Sequence, residues 1–378
     1  MVEEDGFWYP QIDNNICIGC KTCQKACPII SPLSENNTHI PKAFAVWIDD
    51  LSIRKRSASG GLFYAIAYQM IEKGGYVVGA VFDGINVKHI ITNKLSEIHN
   101  IQGVKYFQSN TSGIYNEVKR LLGEGEKVLF SGTSCQVAGL LKHLGGMNEN
   151  LVTVDLICFG VPSALTVGVE ERMRGKILKR IISSRDKEHQ GGWLDPYYMT
   201  CEWEDGSITV SSQRQSFMLG SFCSGKVMRK SCYHCPFKLI VRQSDITIGD
   251  YHCIKDFEEQ KNDGISLAYV QSDKGAEVLK DNINITIHER ELLESLPYKR
   301  AIFYNDKIYE NSLARRFMIP ILHKAPLWFV NIFYRHIVKS KNPLIWPFTV
   351  IDVVYFWLNN RMAKNKINKI IKQLQRWE

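Results

Sequence analysis

Cysteines set at metal-binding intervals are the first residues in this chain that could do chemistry, and they begin with Cys17, Cys20, Cys23 and Cys27 in CIGCKTCQKACP. The spacing C-x2-C-x2-C-x3-C, followed by Pro28, is the run by which bacterial-type ferredoxins wrap thiolates around a 4Fe-4S cluster. Short steps let three sulfurs converge on one cubane from a tight loop, with backbone N–H groups turned toward the cluster sulfides. A structural zinc knuckle instead pairs two C-x2-4-C units across a spacer. In two-cluster ferredoxins the fourth cysteine serves the other cluster, whose remaining ligands come from a second copy of the run. No second copy stands in the sequence. Cys27 therefore either closes its own cluster or belongs to an incomplete ferredoxin module. The opening EEDGFWYPQID resembles the turn-and-strand spacer between two cluster loops, which favours an incomplete module whose upstream run has been lost.

A second set of thiols is dispersed. Cys232 and Cys235 form one C-x2-C half-site that cannot close alone. Cys135 in LFSGTSCQVAGL and Cys158 in DLICFGVPS are the natural remaining ligands, because each is read on a loop at a strand end. Cys223 is a spare, and Cys201, inside the alternating MTCEWEDGSITV, reads as a packed thiol. Four such thiolates can hold 4Fe-4S or zinc, and the redox run upstream favours iron.

The elements that must position these groups follow from periodicity. AFAVWI reads as a strand. In SASGGLFYAIAYQMIEKGG, the apolar residues Leu62, Phe63, Ile66, Ala67 and Met70 repeat at helical period up to Gly74 and Gly75, and the strand YVVGAVF follows. Ser57, Ser59, Gly60 and Gly61 thus open a helix, where bare N–H groups and close backbone approach suit a phosphate or pyrophosphate. An ordinary serine cap fits the same residues equally well. Lys105, Tyr106 and Gln108 stand together before a helix over about 114–122; a lysine beside an aromatic can neutralise a cofactor phosphate while the ring packs on a flavin, or can simply be solvated. KVLFSGTSCQVAGLLKHL gives strand, turn and helix, the geometry of an α/β ligand edge, without a G-x-G-x-x-G fingerprint. Asp250 and His252 in SDITIGDYH could deliver protons in a pocket, against the plainer reading of loop residues without chemistry.

At 378 residues, about two globular units besides the cluster loop are expected. Eleven cysteines with no signal-peptide pattern point to a reducing compartment and to metal ligation over disulfides. The net charge of +8, much of it in the C-terminal stretch, shows no concentrated basic face and gives no reason to expect nucleic acid as a partner. Beyond Pro320, the apolar runs PLWFVNIFY and IWPFTVIDVVYFWL are too short to span a bilayer. Ile367, Ile370, Ile371, Leu374 and Trp377 face away from Lys366, Lys369 and Lys372, an amphipathic helix suited either to an anionic membrane surface or to docking on the protein's own body.

SASGG, KYFQS, LFSGTSCQVAGL, DLICFGVPS, RDK with GW, MRKSCYHCPF and SDITIGD occur in one order. In that order they resemble the beta subunit family of coenzyme F420 hydrogenase and dehydrogenase over about residues 15–320, most closely its bacterial members found beside polysaccharide-assembly genes. The resemblance implies a mixed α/β and α+β chain: a partial ferredoxin-like 4Fe-4S module over 1–35, family-like segments over 50–130 and 131–320 that form an α/β FAD-binding core, and a helical tail over 321–378. It implies FAD contacts at Ser59, Gly60, Gly61, Lys105, Tyr106 and Ser109, with Gly132 and Thr133 in the same pocket. It also implies a flavin-side cluster on Cys135, Cys158, Cys232 and Cys235. The sequence departs from the family pattern at the absent upstream run, at Ser134 where proline is usual, and at Cys253 where glycine is usual.

The expected function is that of an iron-sulfur flavoprotein oxidoreductase with one or two 4Fe-4S clusters and FAD. It exchanges electrons between a donor such as ferredoxin, NAD(P)H or F420 and a small molecule or lipid-linked sugar. The alternative is a noncatalytic electron-transfer subunit of a larger redox complex. The expected location is the cytoplasm or the inner face of the cell membrane.

Overall fold

Strands buried on both faces read as unbroken apolar runs, and VLFSGT and LVTVDL have that character. The computed structural model describes residues 1–32, 40–188, 193, 194, 196–252, 254–282, 284–296 and 326. In chain order the strands are β1 (Val2–Glu4), β2 (Phe7–Tyr9), β3 (Lys42–Ile48), β4 (Tyr76–Asp83), β5 (Asn86–Thr92), β6 (Ser109–Asn110), β7 (Val128–Thr133), β8 (Leu151–Leu156), β9 (Leu178–Asp186), β10 (Tyr198–Trp203), β11 (Ile208–Ser212), β12 (Ile246–Asp250), β13 (Ser266–Val270) and β14 (Ile285–Arg290). Nine of them form one mixed sheet in the order β14-β3-β13-β12-β8-β7-β4-β5-β6. Its centre, β12, β8, β7 and β4, is parallel, and antiparallel partners flank it on both sides. The expected division at 130/131 falls inside β7, so the segments on either side of it share one sheet.

Helices cover both faces, because each parallel pair needs a crossover. The helices that bear on the site are α1 (Thr22–Ala26), α2 (Leu51–Arg56), α3 (Leu62–Glu72), α4 (Ile98–Ile101), α5 (Ile114–Gly123), α6 (Ser134–Leu144), α7 (Leu165–Arg174), α8 (Phe217–Ser224) and α9 (Lys230–Tyr233). Leu62, Ile66 and Met70 of α3 pack with Val77, Leu129 and Ile246 on one face. Leu121 of α5 and Leu140 of α6 pack with Val78, Val128 and Phe130 on the other. The expected helix in the Leu62–Met70 stretch and its stop at Gly74 are both found; Gly74 takes a positive φ of 77° and closes the helix through its N–H to Ile71 O at 2.8 Å.

The antiparallel β9-β10-β11 meander turns at Gly206, the DG position read as a hairpin, and buries Cys201 as a packed thiol, 4% exposed. Its core with α7 and α8 includes Trp203, Met199, Met218 and Leu219. The buried Glu170 carboxylate accepts the backbone N–H groups of Phe217 at 2.5 Å and Met218 at 3.2 Å, placing negative charge on the N-terminus of α8. That contact fixes where Phe222 and Cys223 point.

The β1–β2 hairpin docks on the body by a few specific contacts. Gly6 takes a φ of 77°, and a Cβ there would lie 2.6 Å from Ser163 Oγ; the carbonyl of Gly6 accepts the Ala164 N–H at 3.2 Å. Gln108 brackets Trp8, its Oε1 accepting the Trp8 N–H at 3.0 Å and its Nε2 donating to the Trp8 carbonyl at 3.2 Å. No helix among the described residues is long and apolar enough to cross a membrane. The amphipathic helix expected over 321–378 and Cys253 lie outside the described residues.

Candidate redox site

The first cysteine run is a short exposed loop. Gly19 and Lys21 both take positive φ, 69° and 59°, which folds the chain back tightly enough for α1 to start at Thr22. Cys17, Cys20 and Cys23 are exposed and Cys27 is half-buried. The Thr22 hydroxyl donates to Cys20 Sγ at 3.3 Å, and this hydrogen bond holds the Cys20 thiol below its ordinary range. The loop does not stand apart: α1 packs against α6, whose first turn carries Cys135.

Cys135, Cys158, Cys232 and Cys235 come from separate elements and gather at the C-terminal edge of the parallel strands. Cys135 is in the first turn of α6, where the sequence suggested a loop. The Thr133–Gln136 capping box starts the helix one residue earlier than the SGTS turn implied, with the Thr133 N–H donating to Gln136 Oε1 at 2.9 Å. Cys158 follows β8, Cys232 lies in α9, and Cys235 follows it. Burial pushes the Cys135 thiol up to about 11, and the nearby Cys235 and Cys232 thiols add to the shift. Burial raises Cys158 further, with Cys232, Cys135 and Cys235 all within electrostatic reach, and raises Cys232 as well.

The backbone locks these loops together. Arg229 N–H donates to Val161 O at 2.8 Å and Ser163 N–H to Val227 O at 2.9 Å, and Gly160 lies so close that a Cβ would be 3.3 Å from Cys232 Cβ. A donor set of thiols alone suits soft metals, as iron-sulfur clusters or zinc. Among the described residues no three His, Cys, Asp or Glu side chains close on a single ion.

Of the expected FAD contacts, Ser59, Gly60 and Gly61 are buried against the sheet. Ser59 Oγ donates to Ile265 O at 2.7 Å, Gly60 N–H donates to Ser266 Oγ at 2.9 Å, and a Cβ on Gly60 would sit 2.4 Å from Val46 O. The glycine at 60 is thus required by close approach to β3 and β13, a demand the local sequence reading did not include. Lys105 donates to the carbonyls of Ile101 and Gln102 at 2.6 and 2.8 Å, closing the end of α4, and burial lowers its ammonium to about 7. Tyr106 stacks on Phe222 at 3.9 Å between ring centroids.

Ser109 Oγ lies 2.6 Å from His89 Nδ1, and His89 Nε2 is 3.1 Å from Ser131 O. A carbonyl only accepts, so Nε2 carries the proton and Nδ1 accepts the serine hydroxyl. Gly132 and Thr133 end β7, and Thr133 Oγ1 is 3.1 Å from Cys135 Sγ, so this part of the expected pocket touches the second thiol set directly.

Asp250 ends β12 on the same sheet edge. Its Oδ2 accepts Arg185 Nη1 at 2.6 Å, and its Oδ1 accepts Trp193 Nε1 at 3.3 Å. His252 stacks on Trp193 at 4.4 Å, with Nε2 3.2 Å from Tyr197 OH and 3.4 Å from Asp250 Oδ2. The Arg185 guanidinium lies over the Tyr197 ring at 4.3 Å, and Tyr106 is near enough to feel both Arg185 and Asp250.

Sequence reasoning missed several residues that build this region. Gln102 ties Ser57 to the KYFQS loop, its Nε2 donating to Ser57 Oγ at 2.6 Å. Lys187 donates to the carbonyls of Arg54, Ser59 and Asp263 at 2.5, 2.7 and 2.6 Å, and burial lowers it to about 7. Arg185 and Trp193 stood in the RDK and GW motifs without an assigned role. A cation placed inside an otherwise apolar stretch was the one signal that pointed to Lys187.

Residues 125–293 match the family model for the C terminus of the coenzyme F420 hydrogenase/dehydrogenase beta subunit, and residues 8–29 match a 4Fe-4S binding domain. No curated protein matches the chain. Among solved structures, a chain of the F420-reducing NiFe hydrogenase complex from Methanosarcina barkeri is similar at 18% identity and a TM-score of 0.47, covering 74% of this chain and 95% of its own. Through residues 125–293, behind a 4Fe-4S binding domain, the chain belongs to the coenzyme F420 hydrogenase/dehydrogenase beta subunit family.

Proposed function

We propose that the chain is an FAD-dependent iron-sulfur oxidoreductase. One 4Fe-4S cluster is held by Cys17, Cys20, Cys23 and Cys27, and a second by Cys135, Cys158, Cys232 and Cys235. The observation that carries this reading is the convergence of the second thiols from separate elements at one sheet edge, beside the helix that packs on α1. An all-thiol donor set beside a matched 4Fe-4S binding domain favours a cluster over zinc. Bound FAD would supply the exchange between one-electron delivery and a two-electron substrate.

The chain's own groups then have distinct tasks. Thr133 and Gly132 bring the β7 end against Cys135. Tyr106 supplies an aromatic wall, while Ser59, Gly60, Gly61, Lys105 and Ser109 shape the loops around the same edge. Asp250, paired to Arg185, orients His252, which with Tyr197 OH can hold or move a proton at Nε2. Cluster assembly on the raised thiols releases protons, because ligands must be thiolates.

The substrate class is a small molecule or lipid-linked sugar, and the donor is ferredoxin, NAD(P)H or F420. The location is the cytoplasm or its membrane face. A second reading, an electron-transfer subunit with the active site on a partner, is favoured by the apolar surface around the first run: Ile16 is 79% and Ile18 88% exposed.

Anaerobic purification tests the first reading. It predicts about 8 irons with matching acid-labile sulfide, FAD released on denaturation, and turnover by the isolated chain with an artificial donor. Zinc without iron or flavin would overturn it. Iron and FAD without turnover until a partner is added would support the second reading.

A further inference from the structure

One side chain links the segments that carry the second thiol set. Arg242 Nη1 donates to Ser134 Oγ at 2.6 Å, to Asp155 Oδ2 at 2.9 Å and to the Leu156 carbonyl at 3.0 Å; its Nε donates to the Leu239 carbonyl at 2.8 Å. Ser134 immediately precedes Cys135, Leu156 ends the strand that leads to Cys158, and Leu239 follows Cys235 within one turn of chain. The guanidinium and the Asp155 carboxylate are 4% and 1% exposed, and Ser244 Oγ donates to the other Asp155 oxygen at 2.8 Å. Ser134 stands where the family pattern has proline, so in this chain the departure supplies an acceptor that proline lacks.

We infer that Arg242, with Asp155, is the positioning residue of the second thiol set: one buried guanidinium holds all three thiol-bearing segments in register and balances charge beside the cluster. The inference rests on the reading of Cys135, Cys158, Cys232 and Cys235 as cluster ligands. Only arginine has the planar fork to reach several acceptors at fixed angles, and a lysine cannot replace it there. A cluster potential follows local net charge. Removing Arg242 leaves the Asp155 negative charge uncompensated and lowers the potential. Removing the Asp155 charge leaves the guanidinium and raises it.

The test uses the full chain with Arg242→Gln, Asp155→Asn, the double variant and the milder Ser134→Ala, each checked for folding by circular dichroism. In metal-free protein, a short bifunctional thiol reagent followed by peptide mass analysis should bridge Cys135 or Cys158 to Cys232 or Cys235. Those bridges should fall several-fold in Arg242→Gln and partly in Ser134→Ala. In iron-loaded protein, the single variants should shift the potential of the second cluster in opposite directions, with the double variant returning toward the parent.

A purely structural role would move both single variants the same way, and would sink the charge-balancing part of the inference. Unchanged bridging in Arg242→Gln and Ser134→Ala would sink the positioning part. Lost bridging in protein whose iron does not depend on Cys232 would uphold the positioning role while refuting the cluster itself.

Discussion

The two thiol sets differ in how they are built. Cys17 to Cys27 lie on one exposed loop closed by local turns, and the module that bears them is fastened mainly through Gln108 and the Gly6 contact. Cys135, Cys158, Cys232 and Cys235 are drawn from α6, the β8 end and α9, and are held by long-range bonds. A local site can lose its metal without loosening the sheet. An assembled site cannot, because its ligands also join the elements of the core, and ligation free energy is then folding free energy.

The largest expected effect separates the two directly. Cys232→Ala should remove about 4 irons and also lower Tm by about 10 °C, for a loss of roughly 4 kcal/mol. Cys20→Ala should remove as much iron with little change in Tm. Equal Tm losses in metal analysis and calorimetry would erase the distinction.

A smaller effect is expected at the proton-handling end of the sheet edge. Asp250→Asn leaves the buried Arg185 guanidinium uncompensated, at a cost of about 3 kcal/mol in chemical denaturation. It should abolish turnover while leaving the iron content unchanged.

Acid separates the core from the exposed loop as well. His89 is lowered from 6.5 to about 4, chiefly by burial, whereas the unfolded chain titrates near 6.5. Between those values the unfolded state binds more protons, so this stabilisation is whole above pH 6.5 and is lost as pH falls toward 4, by about 3 kcal/mol. His89→Gln should flatten that part of the stability-pH curve; an unchanged curve would show that the ring is not buried neutral.

The smallest effect belongs to the fastening of the first module. Gln108→Ala should cost about 1 kcal/mol, visible as faster proteolysis before residue 30 with an unaltered global Tm.

What the sequence made legible follows the same division. The first run, the apolar period of Leu62 to Met70, the buried VLFSGT strand and the DG turn at Gly206 are local patterns, and each appears where its pattern places it. The convergence of the second thiols was readable only in part. C-x2-C marked Cys232 and Cys235, but Cys135 lies in a helix because Gln136 completes a capping box with Thr133. Ser59 and Gly60 looked like a phosphate seat because their partners, Ile265 and Ser266, are far away in the chain. The same distance concealed Lys187 and Arg242, whose carbonyl acceptors belong to segments that meet only in the folded sheet.

The central claim, that the two sets work as neighbouring electron carriers across the α1–α6 contact, is tested most directly by electron paramagnetic resonance of the dithionite-reduced protein. The account predicts a spectrum broadened by interaction between two reduced clusters, which resolves into a single simple signal in Cys20→Ala and in Cys232→Ala. A wild-type spectrum equal to the sum of the two variants' spectra would contradict it.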